Sequence, residues 1–135
     1  MMTYKFFDTS SLLLAGKNLF SDEYKTVVSS ISIQELENIK TSANKDGDIK
    51  FAAREVLRQL DKHTGEYDLV IYNDYMLDPI LAKYDCNINN DIKILACAFD
   101  YDYYQHPDET IFVTNDLILK VIANMFFGED SIESI

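Results

Sequence analysis

Cysteine is scarce in this chain. Cys86 and Cys97 are the two in 135 residues, eleven apart, and nothing around them has metal-ligand spacing. Cys97 falls in an apolar helical pattern and reads as a small core residue. Cysteine usage of this kind fits a cytoplasmic location. Long apolar runs are missing as well: Val121 to Phe127 is far too short to span a bilayer, so no membrane partner is expected. Met1 to Leu14 carries an acidic residue where a secretion signal needs a basic start and a clean apolar run. Basic residues are outnumbered, 12 Lys and Arg against 23 Asp and Glu, for a net charge of −11. Proteins that grip nucleic acid electrostatically usually present a basic surface. A nucleic-acid partner would therefore need a local basic patch, a helper protein or bound cations that reverse the local field.

No internal repeat, low-complexity tract or second domain is visible. With 47% hydrophobic and 26% charged residues the chain has the composition of a globular protein, long enough for one real core. One domain is expected over residues 1–128, with 129–135 as a tail or the start of a linker.

Strand-like and helical segments alternate. Residues 4–8 read as a short buried strand, and Ser10 to Ala15 as a helical turn stopped at Gly16. Thr26 to Ser29 is β-branched, and Ile33, Leu36 and Ile39 then follow helical spacing, with Ser30 or Ser32 able to cap. Thr41 to Gly47 is the clearest loop. Asp48 can cap a helix to about His63, with Phe51, Val56, Leu57 and Leu60 on its apolar face and Gly65 as its stop. Asp68 to Tyr72 is the next strand. Residues 73–90 read as irregular, with one helical turn after Pro79. A helix over 91–100, a polar and aromatic loop over 100–109, a strand over 110–114 and a helix from Asp116 to Phe127 complete the order. Such alternation predicts a parallel α/β sheet with helices on both faces.

Four acidic residues sit where these elements begin or end. Asp8 closes the first strand and Asp116 closes the last. Asp91 opens the helix that starts at Ile92, and Glu35 lies in the first turns after the second strand. Ligands of open α/β sheets bind at the carboxyl ends of the strands, where carboxylates from distant segments can meet. Oxygen-rich acidic sites suit Mg²⁺ or Mn²⁺. Taken one at a time, Asp8, Asp116 and Asp91 are also ordinary helix caps, and a glutamate on a helix is usually solvated. Glu37 is the internal control, because it lies about 200° round the helix from Glu35 and should point elsewhere. Thr9, Ser10 and Thr114 stand beside the aspartates and could orient a carboxylate or a metal-bound water. His63 and His106 are not at strand ends and read as surface or turn residues.

Four blocks carry a family resemblance: Phe7-Asp8-Thr9-Ser10-Ser11-Leu12-Leu13; Val27-Val28 through Ser32-Ile33-Gln34-Glu35-Leu36-Glu37; Asn90-Asp91-Ile92-Lys93-Ile94-Leu95-Ala96; and Ile111-Phe112-Val113-Thr114-Asn115-Asp116. In order and spacing they resemble the PIN domain family from about Lys5 to Ala123. Gln34 to Lys40, followed by Ala52-Ala53-Arg54, resembles the PIN domain that precedes the ATPase of PhoH-type proteins. One stretch departs from that sub-type, which commonly shows Asn-Leu-Arg where this chain has Ile118-Leu119-Lys120.

The resemblance implies a three-layer α/β/α sandwich with a central parallel sheet and Mg²⁺- or Mn²⁺-dependent endoribonuclease activity on single-stranded RNA. By position, Asp8, Glu35, Asp91 and Asp116 match its acidic, metal-holding quartet, and Thr114 matches a supporting polar residue. Four carboxylates and one or two divalent ions are enough to activate a water and offset charge on a phosphate, with no covalent nucleophile. Clustered carboxylates also repel one another, which raises pKa values until metal binds. The implied partners are single-stranded RNA, an ATPase domain or partner protein, and a further copy of the chain.

Lys50, Arg54, Arg58 and Lys62 recur every four residues and form one basic stripe. It reads either as a solvated face or as a ridge that tracks an RNA backbone. Tyr101, Tyr103 and Tyr104 could stack on bases or pack on the domain. The second functional reading is a catalytically weak or inactive PIN-fold binding module of a larger PhoH-type assembly. A toxin-type PIN ribonuclease would be similarly short. A phosphate-binding loop is absent, since Gly16-Lys17 is followed by Asn18 and lacks the earlier glycine. Dehalogenase-type phosphatases need a second aspartate two residues after the first, where Ser10 stands. A receiver domain would need an acidic pair near the first strand, and none is evident.

Overall fold

The computed structural model describes residues 2–43, 46–105 and 108–135. Five parallel strands form one sheet in the order β3-β2-β1-β4-β5: β1 Thr3–Phe7, β2 Lys25–Ser29, β3 Tyr67–Val70, β4 Glu109–Val113 and β5 Ile132–Glu133. Among the described residues six α-helices accompany them: α1 Thr9–Ala15, α2 Ser30–Thr41, α3 Gly47–Lys62, α4 Asp78–Lys83, α5 Asn90–Tyr104 and α6 Leu117–Ala123. The α/β sandwich with an all-parallel sheet is as the sequence predicts.

Alternation along the strands builds the three layers, because successive side chains point to opposite faces. Phe6, Val27 and Phe112 face one core with Ile80, Leu95 and Leu119 from α4, α5 and α6. Their neighbours Phe7, Val28 and Val113 face the other core with Leu12, Leu36 and Val56 from α1, α2 and α3. Strands covered on both faces need apolar residues at both parities, which is why consecutive apolar residues recur in β1 (Phe6-Phe7), β2 (Val27-Val28) and β4 (Ile111-Phe112-Val113).

Several boundaries differ from the sequence reading for local reasons. Ser29 caps α2, accepting from the Ser32 N–H, and Asp46 rather than Asp48 caps α3, accepting from the Ile49 N–H. Phe51, assigned to the apolar face of α3, is 57% exposed, while Ala53 is fully buried. Gly16 (φ 49°) is the C-cap of α1, whereas α3 ends at Lys62 with His63 as its C-cap, and Gly65 (φ 86°) lies in the turn beyond; both glycines hold backbone conformations that a Cβ would oppose. Residues 74–83, read as mostly irregular, form a 3-10 turn and α4, whose Ile80 is fully buried.

Helix α5 runs one turn beyond the expected 91–100. Tyr101 is 4% exposed and packs on Tyr4 and Phe6, so burial of that ring draws the chain into another turn. Tyr101 is thus a core residue and not a base-stacking one. The expected loops at 41–47 and 100–109 include Asn44, Lys45, His106 and Pro107, which lie outside the described residues.

The sequence reads 129–135 as a tail or the start of a linker. That segment instead supplies β5, in which Ile132 and Glu133 pair with Phe112 and Val113. The half-buried Lys5 meets Glu133 at 3.0 Å and helps to seat it.

Candidate active site

Chain order reverses between β1 and β4. Strands β2 and β3 add on one side of β1, while β4 and β5 lie on the other. Crevices at the carboxyl ends of such a switch point are where open parallel sheets bind ligands. Asp8 is the residue after β1, and Thr114, Asn115 and Asp116 follow β4. Glu35 rides on α2 directly after β2, and Asp91 lies in the first turn of α5.

Asp8 is 2% exposed and caps α1, its Oδ1 accepting from the Ser11 N–H at 2.9 Å. The Ser11 and Ser10 hydroxyls reach the same oxygen at 2.7 and 3.1 Å. Its Oδ2 accepts from Thr114 Oγ1 at 2.5 Å. Thr114, fully buried, accepts in turn from the Asp116 N–H at 3.1 Å, so one hydroxyl ties the ends of β1 and β4 together. Asp116 caps α6 through the Leu119 N–H at 3.1 Å.

The C-terminal segment braces that loop. Thr114 N–H donates to Glu133 O, Ser134 Oγ donates to Thr114 O, and the Asn115 amide exchanges two hydrogen bonds with the Ile135 backbone.

On the other side, Thr9 Oγ1 donates to Glu35 Oε1 at 2.6 Å and lies 2.9 Å from Ser32 Oγ. Glu37 points elsewhere, as its helical angle requires, and pairs with Lys40 at 3.1 Å. Asn89, not Asp91, caps α5, which leaves the Asp91 carboxylate free of the capping role. Burial holds the Asp91 carboxyl above the usual aspartate range, and the charges of Asp116, Glu35 and Asp8 push it the same way, in that order. Those three neighbours come from three other parts of the chain. The four acids therefore share one electrostatic neighbourhood.

Thr9, Ser10 and Thr114 each contact a member of this group. Ser11 and Ser29, fully buried like the cap candidate Ser32, carry no role in the sequence reading, and Ser29 is the residue that caps α2. Their signal is a run of small hydroxyl residues directly after an apolar strand, where a core residue would otherwise stand.

Among the described residues, no three His, Cys, Asp or Glu side chains are drawn close enough to form a ready-made metal cage. The donor set itself, four carboxylates with hydroxyl and backbone support, fits a hard divalent cation and no soft one. Clustered anions splay apart without a counter-charge, so an open arrangement is what such a set should adopt by itself.

The profile of the PIN domain family matches residues 6–126. The chain belongs to the PIN domain family. No curated protein matches it. PIN domains are commonly nucleases, so the fold is of nuclease type and supports a hydrolase. The matched span of the PIN domain contains all four acids.

Of the basic residues on α3 of this PIN domain, Lys50 is half-buried, while Arg54, Arg58 and Lys62 are exposed. Arg58 pairs with Glu55 at 2.7 Å, which lowers the net charge of the stripe. Arg54, Leu57 and Arg58 also meet Lys40 across a shallow groove of about 500 Å³ between α2 and α3. Tyr103 and Tyr104 are exposed and stack edge to face at 4.7 Å. His63 lies at the end of α3, stacked on Phe20 at 4.1 Å, and is structural. Among the described residues no helix is long and apolar enough to cross a membrane.

Proposed function

We propose that this PIN domain is a divalent-metal-dependent endoribonuclease that cleaves single-stranded RNA. The observation that carries the reading is the electrostatic meeting of Asp8, Glu35, Asp91 and Asp116 at the switch point of the sheet. Capping accounts for Asp8 and Asp116 singly, but not for the like charges that crowd Asp91, whose repulsion a bound cation would turn into affinity. Mg²⁺ or Mn²⁺ bound there would supply Lewis acidity and a water of lowered pKa.

The chain's own residues do the positioning. Thr114 and Ser11 hold the Asp8 carboxylate in one orientation, and Thr9 does the same for Glu35. Asp116 caps α6, and Asp91 stands in the first turn of α5. Arg54, Arg58 and Lys62, with Lys40 across the groove, would draw the RNA backbone and offset the overall charge of −11. Kinship with PhoH-type PIN domains is supported by the Gln34 to Lys40 and Ala52 to Arg54 blocks on α2 and α3. It would make an ATPase domain or partner protein a natural companion. A further copy of the chain is the other partner that we infer.

The test is cleavage of a labelled single-stranded RNA with Mn²⁺, Mg²⁺ or chelator, beside Asp91→Asn and Asp116→Asn, with Mn²⁺ binding followed by calorimetry. Metal-dependent cutting lost in both variants supports the reading. Metal binding without cutting by clean wild-type protein would replace the nuclease with an RNA-binding or regulatory module. Cutting that survives both substitutions would remove the quartet from the mechanism.

A further inference from the structure

Strand β3 is the edge of the sheet, paired with β2 on one side. A groove of about 450 Å³ is lined by five consecutive residues, 67–71. Successive strand residues face opposite sides of the sheet. A groove lined by all four residues of β3 and the next one lies alongside this outer strand. Its other wall is Tyr75 and Met76 with Asp100 and Tyr101 of α5 and Gln105 just beyond it. An open strand facing a helix across a groove is the geometry in which proteins accept an added strand, through backbone hydrogen bonds and pockets for alternate side chains.

The pocket chemistry has one sign. Asp100 is 8% exposed; among the described residues it carries a single long hydrogen bond, from Tyr75 Oη at 3.4 Å, and no cation is paired with it. Asp68 also lines the groove, held by Lys25 at 3.0 Å and by the Tyr101 hydroxyl. A buried carboxylate without a counter-charge is costly. Leu69 and Ile71 add exposed apolar surface, at 46% and 61%.

We propose that the β3–α5 groove docks an extended segment of a partner protein as a sixth strand, with an arginine or lysine side chain of that segment seated on Asp100. The basic head would meet Asp100 beside the Tyr75 ring, and the apolar neighbours of the segment would lie on Leu69 and Ile71. The net charge of −11 favours a basic segment at long range. Burial, which already holds the Asp100 carboxyl above its ordinary range, makes a cationic occupant more favourable than a neutral one. Nothing in this docking depends on the acids at the other end of α5. Asp91 lies nine residues from Asp100, roughly 13 Å along the helix axis at 1.5 Å per residue.

The probe is the peptide acetyl-Thr-Val-Arg-Val-Thr-amide, titrated against the 135-residue chain by NMR and calorimetry. The amides of Leu69, Val70 and Ile71 should shift. Replacing the central arginine by citrulline should weaken binding about tenfold, the worth of one charge-assisted hydrogen bond. Asp100→Asn should abolish that difference, and N-methylation of the peptide backbone should weaken binding in the wild-type protein. Equal binding of the arginine and citrulline peptides would overturn the proposal, as would shifts confined to other surfaces or no binding at millimolar peptide. Equal binding of arginine amide alone would make the groove a small-cation pocket instead. The citrulline and N-methyl arms use only the wild-type chain, so the test stands even if Asp100→Asn fails to fold.

Discussion

Thr114 donates its hydroxyl to Asp8 across 106 residues of sequence and accepts the N–H of Asp116 with the same oxygen. One buried side chain thus fixes the relative placement of two acids that leave adjacent strands.

Thr114→Val should break this bridge at nearly constant volume. It leaves the Asp8 carboxylate one donor short and the Asp116 N–H unpaired, at a cost of about 1–3 kcal/mol for unsatisfied buried groups. Urea denaturation measures the loss. Thr114→Ser, which keeps the hydroxyl, should recover most of it. RNA cleavage should fall in the valine variant and return in the serine variant.

Neutralising an acid should help the metal-free protein. Asp91 is half-buried and opposed by three like charges, and it does not cap its helix. Asp91→Asn should therefore raise the melting temperature without metal, and Mn²⁺ should stabilise it far less than it stabilises the wild type. Differential scanning calorimetry with and without Mn²⁺ checks both. A lower melting temperature without metal would contradict the repulsion that the geometry implies.

Asp100 gives a pH dependence of defined sign. Burial raises its folded-state pKa above the unfolded value, so folding favours its protonated form. Its contribution is complete below the unfolded carboxylate range and is lost as pH rises through the raised folded value. Asp100→Asn mimics the neutral form. It should be more stable than wild type at pH 7, with the gap closing as pH falls towards 4. Melting curves across that range read the difference.

The basic residues of α3 predict a salt effect. If Arg54 and Arg58 contact RNA phosphates, the double variant Arg54→Ala/Arg58→Ala should lower the slope of log affinity against log salt by about 1.4, roughly 0.7 for each contact on a single strand. Fluorescence anisotropy with a non-cleavable oligonucleotide measures it. An unchanged slope would assign these residues to a solvated face.

Much of the fold was legible because it rests on local pattern. Apolar runs ending in Asp8 and Asp116, with helical spacing after each, reveal strands buried on both faces and followed by helices. Boundaries failed where a distant contact outbid local preference. Tyr101 lengthened α5 by packing on Tyr4 and Phe6, and the polar segment 129–135 became part of the sheet because β4 had an open edge for it. Neither partner is near in sequence, so no window could have shown it.

The candidate site divides the same way. The sequence alone determined which residues carry negative charge and that each stands at the start or end of an element, since residue type and periodicity are local properties. Only the tertiary structure decided that Asp116, Glu35 and Asp8 lie near enough to act on the Asp91 carboxyl. The order of the strands puts β1 beside β4, Thr114 closes the gap between Asp8 and Asp116, and Asn89 takes the cap that Asp91 would otherwise provide. The edge groove on β3 was invisible beforehand for the same reason. A sheet edge exists only once strand order is known, and the buried charge of Asp100 depends on what packs around it.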